Sequence, residues 1–433
     1  MIQTILQNLH IQALNPMQEA VLPTARNSDV VVLSPTGSGK TLAFLLAILE
    51  RIKEGQAGVQ ALIVVPSREL ALQIEQVFKA MSTGNKVTCC YGGHAVKTEE
   101  NSLREAPTLL IGTPGRIAFH VREGNIDPSS IHTLVLDEFD KALEMGFQYD
   151  ISTIIKAMPN LSRRLFTSAT ALNIQPDFKG ISEPVEVNFL DSNEYVPNLQ
   201  MKVVTTAATE KLETLFSLLC LIGDKPTLIF CNHRDAVERI SEILNRNGLT
   251  HGTFHGGLDQ PDRERALMKF RNGSSRILVV TDLASRGLDI PEIESIVHYQ
   301  LPLTEEAFIH RNGRTARMHA TGTAYLLIAD DETVPYLGEL PEELTLPEGN
   351  QLPPPTDWET LYLSAGKKDK VNKVDIVGLL LKKGGLEKHE LGLIEVKDTI
   401  SFAAVKRSKI KDVVARLKQE KLKGKRIKSD IAN

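Results

Sequence analysis

Short apolar runs alternating with helical stretches constrain this chain more than any other feature of its sequence. VVVLSPTGSGK, ALIVVPS, TLLIGTPG and HTLVLDEFD are separated by stretches such as TLAFLLAILERIKEG and SRELALQIEQVFKAM. An uninterrupted apolar run followed by a polar turn and a helix is the pattern of a strand buried on both faces, and its repetition builds a parallel sheet wrapped by helices. After the strand-like PVEVNFL, the segment DSNEYVPNLQ lacks periodicity. The order then restarts near Thr205 with PTLIFCN, RILVVTD, SIVHYQLP and GTAYLLIA. No short-period repeat links the two halves, which excludes solenoids and propellers.

The chain has 433 residues, room for about three domains at ~150 residues each. Hydrophobic residues make up 42% and charged residues 24%, which excludes collagenous, mucin-like and wholly disordered classes. Four cysteines, Cys89, Cys90, Cys220 and Cys231, form no CxxC pair, so neither a disulfide scaffold nor a zinc ribbon fits, and a reducing compartment is expected. Adjacent Cys89 and Cys90 are expected on opposite faces of a strand. His255, His298 and His319 lack ligand-like spacing with cysteine or acidic partners and read as structural. The start of the chain has no basic segment leading into an apolar core, and no apolar run approaches the ~18 residues needed to span a bilayer. A cytoplasmic protein with no membrane partner is expected.

The formal charge of −4 conceals an asymmetry. From Lys367 to Asn433 there are 19 Lys and Arg against 9 Asp and Glu, whereas residues 1–366 carry 31 against 45. Between Met318 and Gly366 no Lys or Arg occurs, and acidic residues accumulate among prolines ending in Pro353, Pro354 and Pro355. That stretch reads as an extended, solvated connector. VDIVGLLLKKGGL, LGLIEVKD, ISFAAVKRS and KIKDVVARLKQE carry strand and helix periods, so the basic end reads as a small folded domain whose charge suits phosphates.

SPTGSGKT, from Ser34 to Thr41, lies between the strand-like DVVVL and a strong helical pattern. Gly37 and Gly39 let the backbone bend until its N–H groups surround phosphate oxygens, with Thr36 and Ser38 between and beside them, and the next helix points its positive end at the same place. Lys40 reaches the outer phosphates, and Thr41 helps to hold Mg²⁺. Ser34 stands where the first glycine of the usual phosphate loop would be. In LVLDEFD, a buried-looking strand delivers Asp137 and Glu138 at its carboxyl end, where open α/β sheets bind ligands. Asp137 suits Mg²⁺, partly through water, and Glu138 suits orientation or deprotonation of an attacking water.

These motifs, in this order across residues 9–317, resemble the DEAD-box family of RNA-dependent ATPases. PSRELA at Pro66–Ala71 resembles the family's PTRELA. Gly92 and Gly93 match its paired glycine, and TPGR at Thr113–Arg116 and SAT at Ser168–Thr170 are identical to its motifs. DEFD departs from DEAD only at Phe139, a larger residue expected to point into the core with hydrolysis retained. LIFCN, Gln260 with Arg263, TDLASRGLD at Thr281–Asp289 and HRNGRTAR at His310–Arg317 complete the set. The resemblance implies an α/β architecture of two tandem RecA-like parallel-sheet domains closing over ATP and single-stranded RNA. Arg314 and Arg317, three residues apart, present guanidinium groups to the transferring phosphoryl. By resemblance, Asp289 contacts the nucleotide ribose, while Ser168 and Thr170 couple the ATP state to the RNA-bound arrangement. Gln18 is retained in the adenine-selecting stretch HIQALNPMQ, where His10, Ile11, Leu14 and Asn15 replace the family's residues. RNA contacts carry over to Arg68, Gly93, Thr113, Arg116, Arg263 and Thr281, which grip the backbone without reading bases.

The C-terminal sequence resembles the DbpA-like RNA-binding domain, a small RRM-like α+β fold. Phe402 is the only aromatic residue after Tyr362, so the usual base-stacking platform is missing, and recognition falls to shape and to Lys and Arg. The expected organisation is a RecA-like ATP-binding domain over 1–204, a second RecA-like domain over 205–330, an acidic proline-rich linker over 331–366 and the basic domain over 367–433. The resemblance implies a monomeric ATP- and Mg²⁺-dependent RNA helicase that separates short duplexes and acts in large ribosomal subunit assembly through ribosomal RNA. The alternatives are a general RNA remodeller of decay or cold adaptation and a non-catalytic RNA clamp.

Overall fold

A computed structural model describes residues 1–93, 96–170, 184–190, 198–282, 293–315 and 321–432. The described residues form two compact units, one running up to Leu190 and one beginning at Asn198. The first is built on a seven-stranded sheet with strand order Val87–Cys90, Leu109–Gly112, Ala61–Val64, Thr133–Leu136, Arg163–Ser168, Val30–Leu33 and Val185–Asn188. Every pairing in it is parallel. Strand Val30–Leu33 shows why the runs are apolar throughout. Val30 and Val32 pack into the core on one face of the sheet, with Phe44, Leu45 and Ile74, while Val31 and Leu33 pack into the other, with Phe139, Ile151 and Phe166. Cys89 and Cys90 likewise divide between the two faces.

The second unit repeats the plan. Its parallel strands run in the order His251–Phe254, Ile277–Thr281, Thr227–Cys231, Ser295–His298, Thr321–Ala329, Asn198–Thr206 and Glu342–Glu343. Strand Asn198–Thr206 crosses the boundary expected at 204. The acidic stretch is more than a connector, because Glu342–Glu343 extends this sheet and Trp358–Leu363 is a central strand of the next one.

The C-terminal domain therefore begins before Lys367. Its antiparallel sheet runs Leu391–Val396, Ser401–Lys406, Trp358–Leu363, Ser429–Ile431. One face packs Leu361, Leu363, Ala403 and Val405 against helices Lys373–Lys382 and Ile410–Leu417. The other face meets helix Gln260–Arg271 of the second RecA-like sheet domain, where Met268 joins Phe402 and Tyr362. A polar seam flanks this contact. Asn272 Nδ2 donates to Thr360 Oγ1 at 2.8 Å, the Ser274 and Thr360 hydroxyls lie 2.8 Å apart, and Arg407 pairs with Glu359 at 2.6 Å. The sheet face that an ordinary RRM offers to bases is thus occupied by the chain's own helix. Among the described residues no helix is long and apolar enough to cross a membrane.

Candidate functional site

The phosphate loop follows strand Val30–Leu33 and ends at Gly39, the N-cap of helix Lys40–Leu49. Gly37 and Gly39 have φ of +85° and +86°, values that favour glycine. A Cβ on Gly39 would lie 2.5 Å from Gln18 Nε2. Gln18 and Asn15 form a capping box at the start of helix Pro16–Asn27. From it Gln18 Nε2 donates to Gly39 O at 3.1 Å and Asn15 Nδ2 to Ser38 O at 2.9 Å. Gln18, expected to select adenine, is therefore also a brace of the loop, and Asn15 shares that work, a role its departure from the family pattern had obscured. Lys40 Nζ donates to the carbonyls of Ser34 and, at 2.9 Å, Pro35. Thr36 and Thr41 are half-buried. The Ser38 hydroxyl is buried in the loop with no protein hydrogen-bond partner.

Asp137 and Glu138 follow strand Thr133–Leu136, and Ser168 ends its neighbour Arg163–Ser168. Asp137 is buried. Burial pushes its carboxyl above the usual carboxylate range, against the pull of the Thr167 hydroxyl, the Lys40 charge and the Glu138 N–H. Thr167 donates to Asp137 and accepts from Glu138 N at 3.2 Å, so it orients both acidic residues. Sequence reasoning passed over it; the clue was its place beside SAT, on the strand paired with LVL. Glu138 holds φ of +49° at the N-cap of helix Phe139–Glu144. A non-glycine residue in this left-handed region marks a tightly built strand-to-helix corner. The SAT hydroxyls link back to this corner: Ser168 Oγ donates to Thr170 O at 2.8 Å, and Thr170 Oγ1 to Asp140 Oδ2 at 3.2 Å. A desolvated carboxylate and a nearby threonine hydroxyl are hard oxygen donors of the kind Mg²⁺ takes. With the buried Ser38 hydroxyl and the glycine-lined loop, the residues fit a Mg²⁺-bound nucleoside triphosphate.

Phe139 points into the core as expected. It is fully buried and meets Phe166 edge to face at 5.4 Å. Phe139→Ala, which restores the common motif, should leave a cavity and cost about 3 kcal/mol. A lower urea midpoint for the first unit would register that loss, and an unchanged midpoint would show that the ring contributes nothing there.

The other half of the first sheet carries the residues expected to touch RNA. Arg68 opens the helix after Ala61–Val64, Gly93 follows Val87–Cys90, and Thr113 caps the helix bearing Arg116 after Leu109–Gly112. Strand order thus places the phosphate-loop residues on one side of Thr133–Leu136 and these four on the other.

In the second unit, Arg263 lies on helix Gln260–Arg271 and donates through Nε to Leu258 O at 3.1 Å. Thr281 ends strand Ile277–Thr281, and Arg314 is buried just beyond helix Glu305–Asn312. Asp289, Arg317 and His319 lie outside the described residues. Sequence reasoning missed Arg311. Fully buried, it grips Asp282 in a bidentate pair, Nε–Oδ1 2.6 Å and Nη2–Oδ2 2.9 Å, and also donates to Asn232 Oδ1 and Gln300 O at 2.7 Å. It joins the end of LIFCN, Asp282 and HRNGR at the carboxyl ends of the neighbouring strands Thr227–Cys231 and Ile277–Thr281.

His298 is structural. Its Nε2 lies 2.9 Å from Asn312 Oδ1, the ring sits between Phe230 and Phe308, and burial lowers its pKa to about 3. An unfolded chain takes up this proton as pH falls below the ordinary 6.5, whereas the native one does not until about 3. Stability is therefore full above 6.5 and lost as pH drops through that window. Between pH 7 and 5 the wild type should lose roughly 2 kcal/mol more than His298→Gln, read as the difference in urea unfolding free energies. Equal losses would contradict the assignment.

A glycine-rich loop and acidic corner at the carboxyl ends of one parallel sheet, with a second sheet of the same plan, define a nucleoside triphosphatase of the two-domain RecA-like class. Residues 15–176 match the DEAD/DEAH box helicase family, 210–319 the helicase conserved C-terminal domain and 360–430 the DbpA RNA binding domain. The chain is 32% identical to ATP-dependent RNA helicase DbpA of Escherichia coli (strain K12), over 98% of this chain and 95% of that protein. It is 30% identical to the Bacillus subtilis (strain 168) protein of the same name, over 96% and 94%. Among solved structures it resembles S. cerevisiae Dbp5 bound to RNA and ADP BeF3, with a TM-score of 0.69 and 25% identity over 76% of this chain and 88% of that one. Mss116 bound to ssRNA and UDP-BeF gives 0.67 and 26% over 76% and 73%. The chain belongs to the DEAD-box family of ATP-dependent RNA helicases and carries a DbpA-type RNA-binding domain at its C-terminal end.

Proposed function

We propose that the chain couples hydrolysis of Mg²⁺-ATP to local separation of short RNA duplexes, and that its C-terminal domain directs this activity to large-subunit ribosomal RNA during ribosome assembly. Gln18 selects adenine. The backbone of Thr36–Gly39 and the Lys40 ammonium hold the phosphates, with Lys40 leaving the loop carbonyls for the outer phosphate oxygens. Thr41 and Asp137 would hold Mg²⁺, partly through water, and the cation neutralises phosphate charge when bound. Glu138 orients the attacking water and takes its proton, while Arg314 and Arg317 stabilise charge on the transferring phosphoryl. Asp289 contacts the ribose. Ser168 and Thr170 relay the state of the acidic corner, to which Thr170 is hydrogen-bonded through Asp140. Arg68, Gly93, Thr113, Arg116, Arg263 and Thr281 grip backbone phosphate and ribose, which gives sequence-independent binding with the 2′-hydroxyl distinguishing RNA from DNA.

The observation that carries the targeting is the basic DbpA-type domain, matched over residues 360–430. Its sheet face is covered by helix Gln260–Arg271, so phosphate contacts fall to its outer lysines. Among these is the hairpin Lys421–Leu422 with Lys425–Arg426, whose Lys421, Lys423, Lys425 and Arg426 are all exposed. The test is the steady-state ATPase rate of the full chain against single-stranded homopolymer RNA, large-subunit ribosomal RNA and DNA, with and without Lys421→Glu and Arg426→Glu. Ribosomal RNA should stimulate at the lowest concentration, and the double substitution should remove that preference while leaving the homopolymer response. Equal stimulation by every RNA, unchanged by the substitutions, would favour a general RNA remodeller. RNA binding without turnover would favour a clamp.

A further inference from the structure

Glu99 and His120 belong to none of the motifs, yet they lie directly beneath the residues assigned to RNA. Glu99, on helix Val96–Leu103, is 1% exposed. Its Oε1 accepts from Tyr91 N–H at 2.7 Å; its Oε2 lies 2.7 Å from His120 Nε2 and 3.3 Å from Arg116 Nε. Arg116 and His120 are one turn apart on helix Pro114–Arg122, so both reach the same oxygen. The Asn125 amide nitrogen lies 3.1 Å from His120 Nδ1, which leaves Nε2 as the ring's donor to Glu99. Tyr91 lies under the Arg68 guanidinium at 4.7 Å, and Cys90 O accepts from Thr113 N at 3.0 Å. One buried carboxylate therefore ties the strand end before Gly92 and Gly93 to the helix that presents Arg116.

A carboxylate is a costly residue to bury. A glutamine of the same shape would still accept from the Tyr91 N–H but would turn its NH2 toward the His120 and Arg116 donors, so only the carboxylate can accept from His120 and at once pair with the Arg116 charge. The Cys90 thiol also lies within 4.8 Å of the Glu99 and His120 ligand atoms, an arrangement that invites a metal reading. The Arg116 cation on the same carboxylate oxygen opposes a second cation there.

We propose that Glu99, held by His120, is a positioning residue that fixes the Arg116 guanidinium through Nε and so sets the affinity of the first unit for the RNA backbone. The proposal rests on the assignment of Arg116 as an RNA contact. Its test is a titration of the full chain's ATPase with polyuridylate at saturating ATP, for wild type, Glu99→Gln, Arg116→Ala and the double variant. Glu99→Gln should raise the half-stimulating RNA concentration about tenfold and leave the maximal rate unchanged. In the Arg116→Ala background the same substitution should do nothing further, because Glu99 acts through that arginine. An unchanged half-stimulating concentration, or an effect of the same size without Arg116, overturns the proposal. If Glu99→Gln does not fold, as judged by its thermal melt, His120→Gln supplies the test, with a severalfold rise expected and no change overturning the proposal. A wild-type protein unresponsive to polyuridylate would instead overturn the RNA reading itself, and this proposal with it.

Discussion

Glu138→Gln is expected to lower RNA-stimulated ATP turnover by about 10²–10⁴-fold, the range for loss of a positioned general base. Retention of RNA in the presence of ATP should persist or increase. The substitution keeps the size of the side chain, and the backbone that sets the corner is held independently: Glu138 N donates to Asp137 Oδ1 at 3.1 Å and to Thr167 Oγ1 at 3.2 Å. What disappears is the oxygen able to accept a proton from water. Single-turnover hydrolysis and filter retention of labelled RNA read the two effects separately. Turnover within twofold of wild type would remove Glu138 from the proposed chemistry, and simultaneous loss of RNA retention would point to a disturbed fold.

Arg311→Ala should destabilise the second unit by about 4 kcal/mol. The Arg311 side chain is fully buried whereas Asp282 is 34% exposed. Truncation therefore leaves the Asp282 carboxylate, the Asn232 side-chain oxygen and the Gln300 carbonyl, all half-buried, without the donor they share, and water replaces it only in part. Arg311→Lys should recover a minority of the loss, since an ammonium cannot make the bidentate fork and the two further bonds at once. Urea unfolding monitored on the full chain measures both variants. A loss below about 1 kcal/mol would place the pair with exposed ion pairs and end its role as the fastening of the three segments.

Much of the site was legible because its residues are consecutive and their chemistry is local. The phosphate loop needs glycines at the turn, a lysine and a hydroxyl at the start of a helix, and a strand before it, and all of these lie between Val30 and Leu49. Asp137 with Glu138 and Ser168 with Thr170 are likewise written at strand ends. The boundaries of the C-terminal domain were less legible. Trp358–Leu363 is a short alternating strand set among prolines and acids, and it becomes a strand only through pairing with Ser401–Lys406 and Ser429–Ile431. The same holds for Glu342–Glu343, whose two residues carry no periodic signal.

Periodicity, turn chemistry and composition within a few neighbouring residues were enough to give the parallel-sheet architecture of both units, the phosphate loop, the acidic corner and the basic charge of the C-terminal end. The bracing of the loop by Gln18 and Asn15, the orientation of Asp137 by Thr167, the joining of three segments by Arg311 and the place of Glu99 beneath Arg116 emerge only from the folded chain. So does the packing of helix Gln260–Arg271 on the C-terminal sheet. These are pairings between residues far apart in the chain, and burial gives them their strength by removing the competing water, a condition that no local pattern of residues encodes.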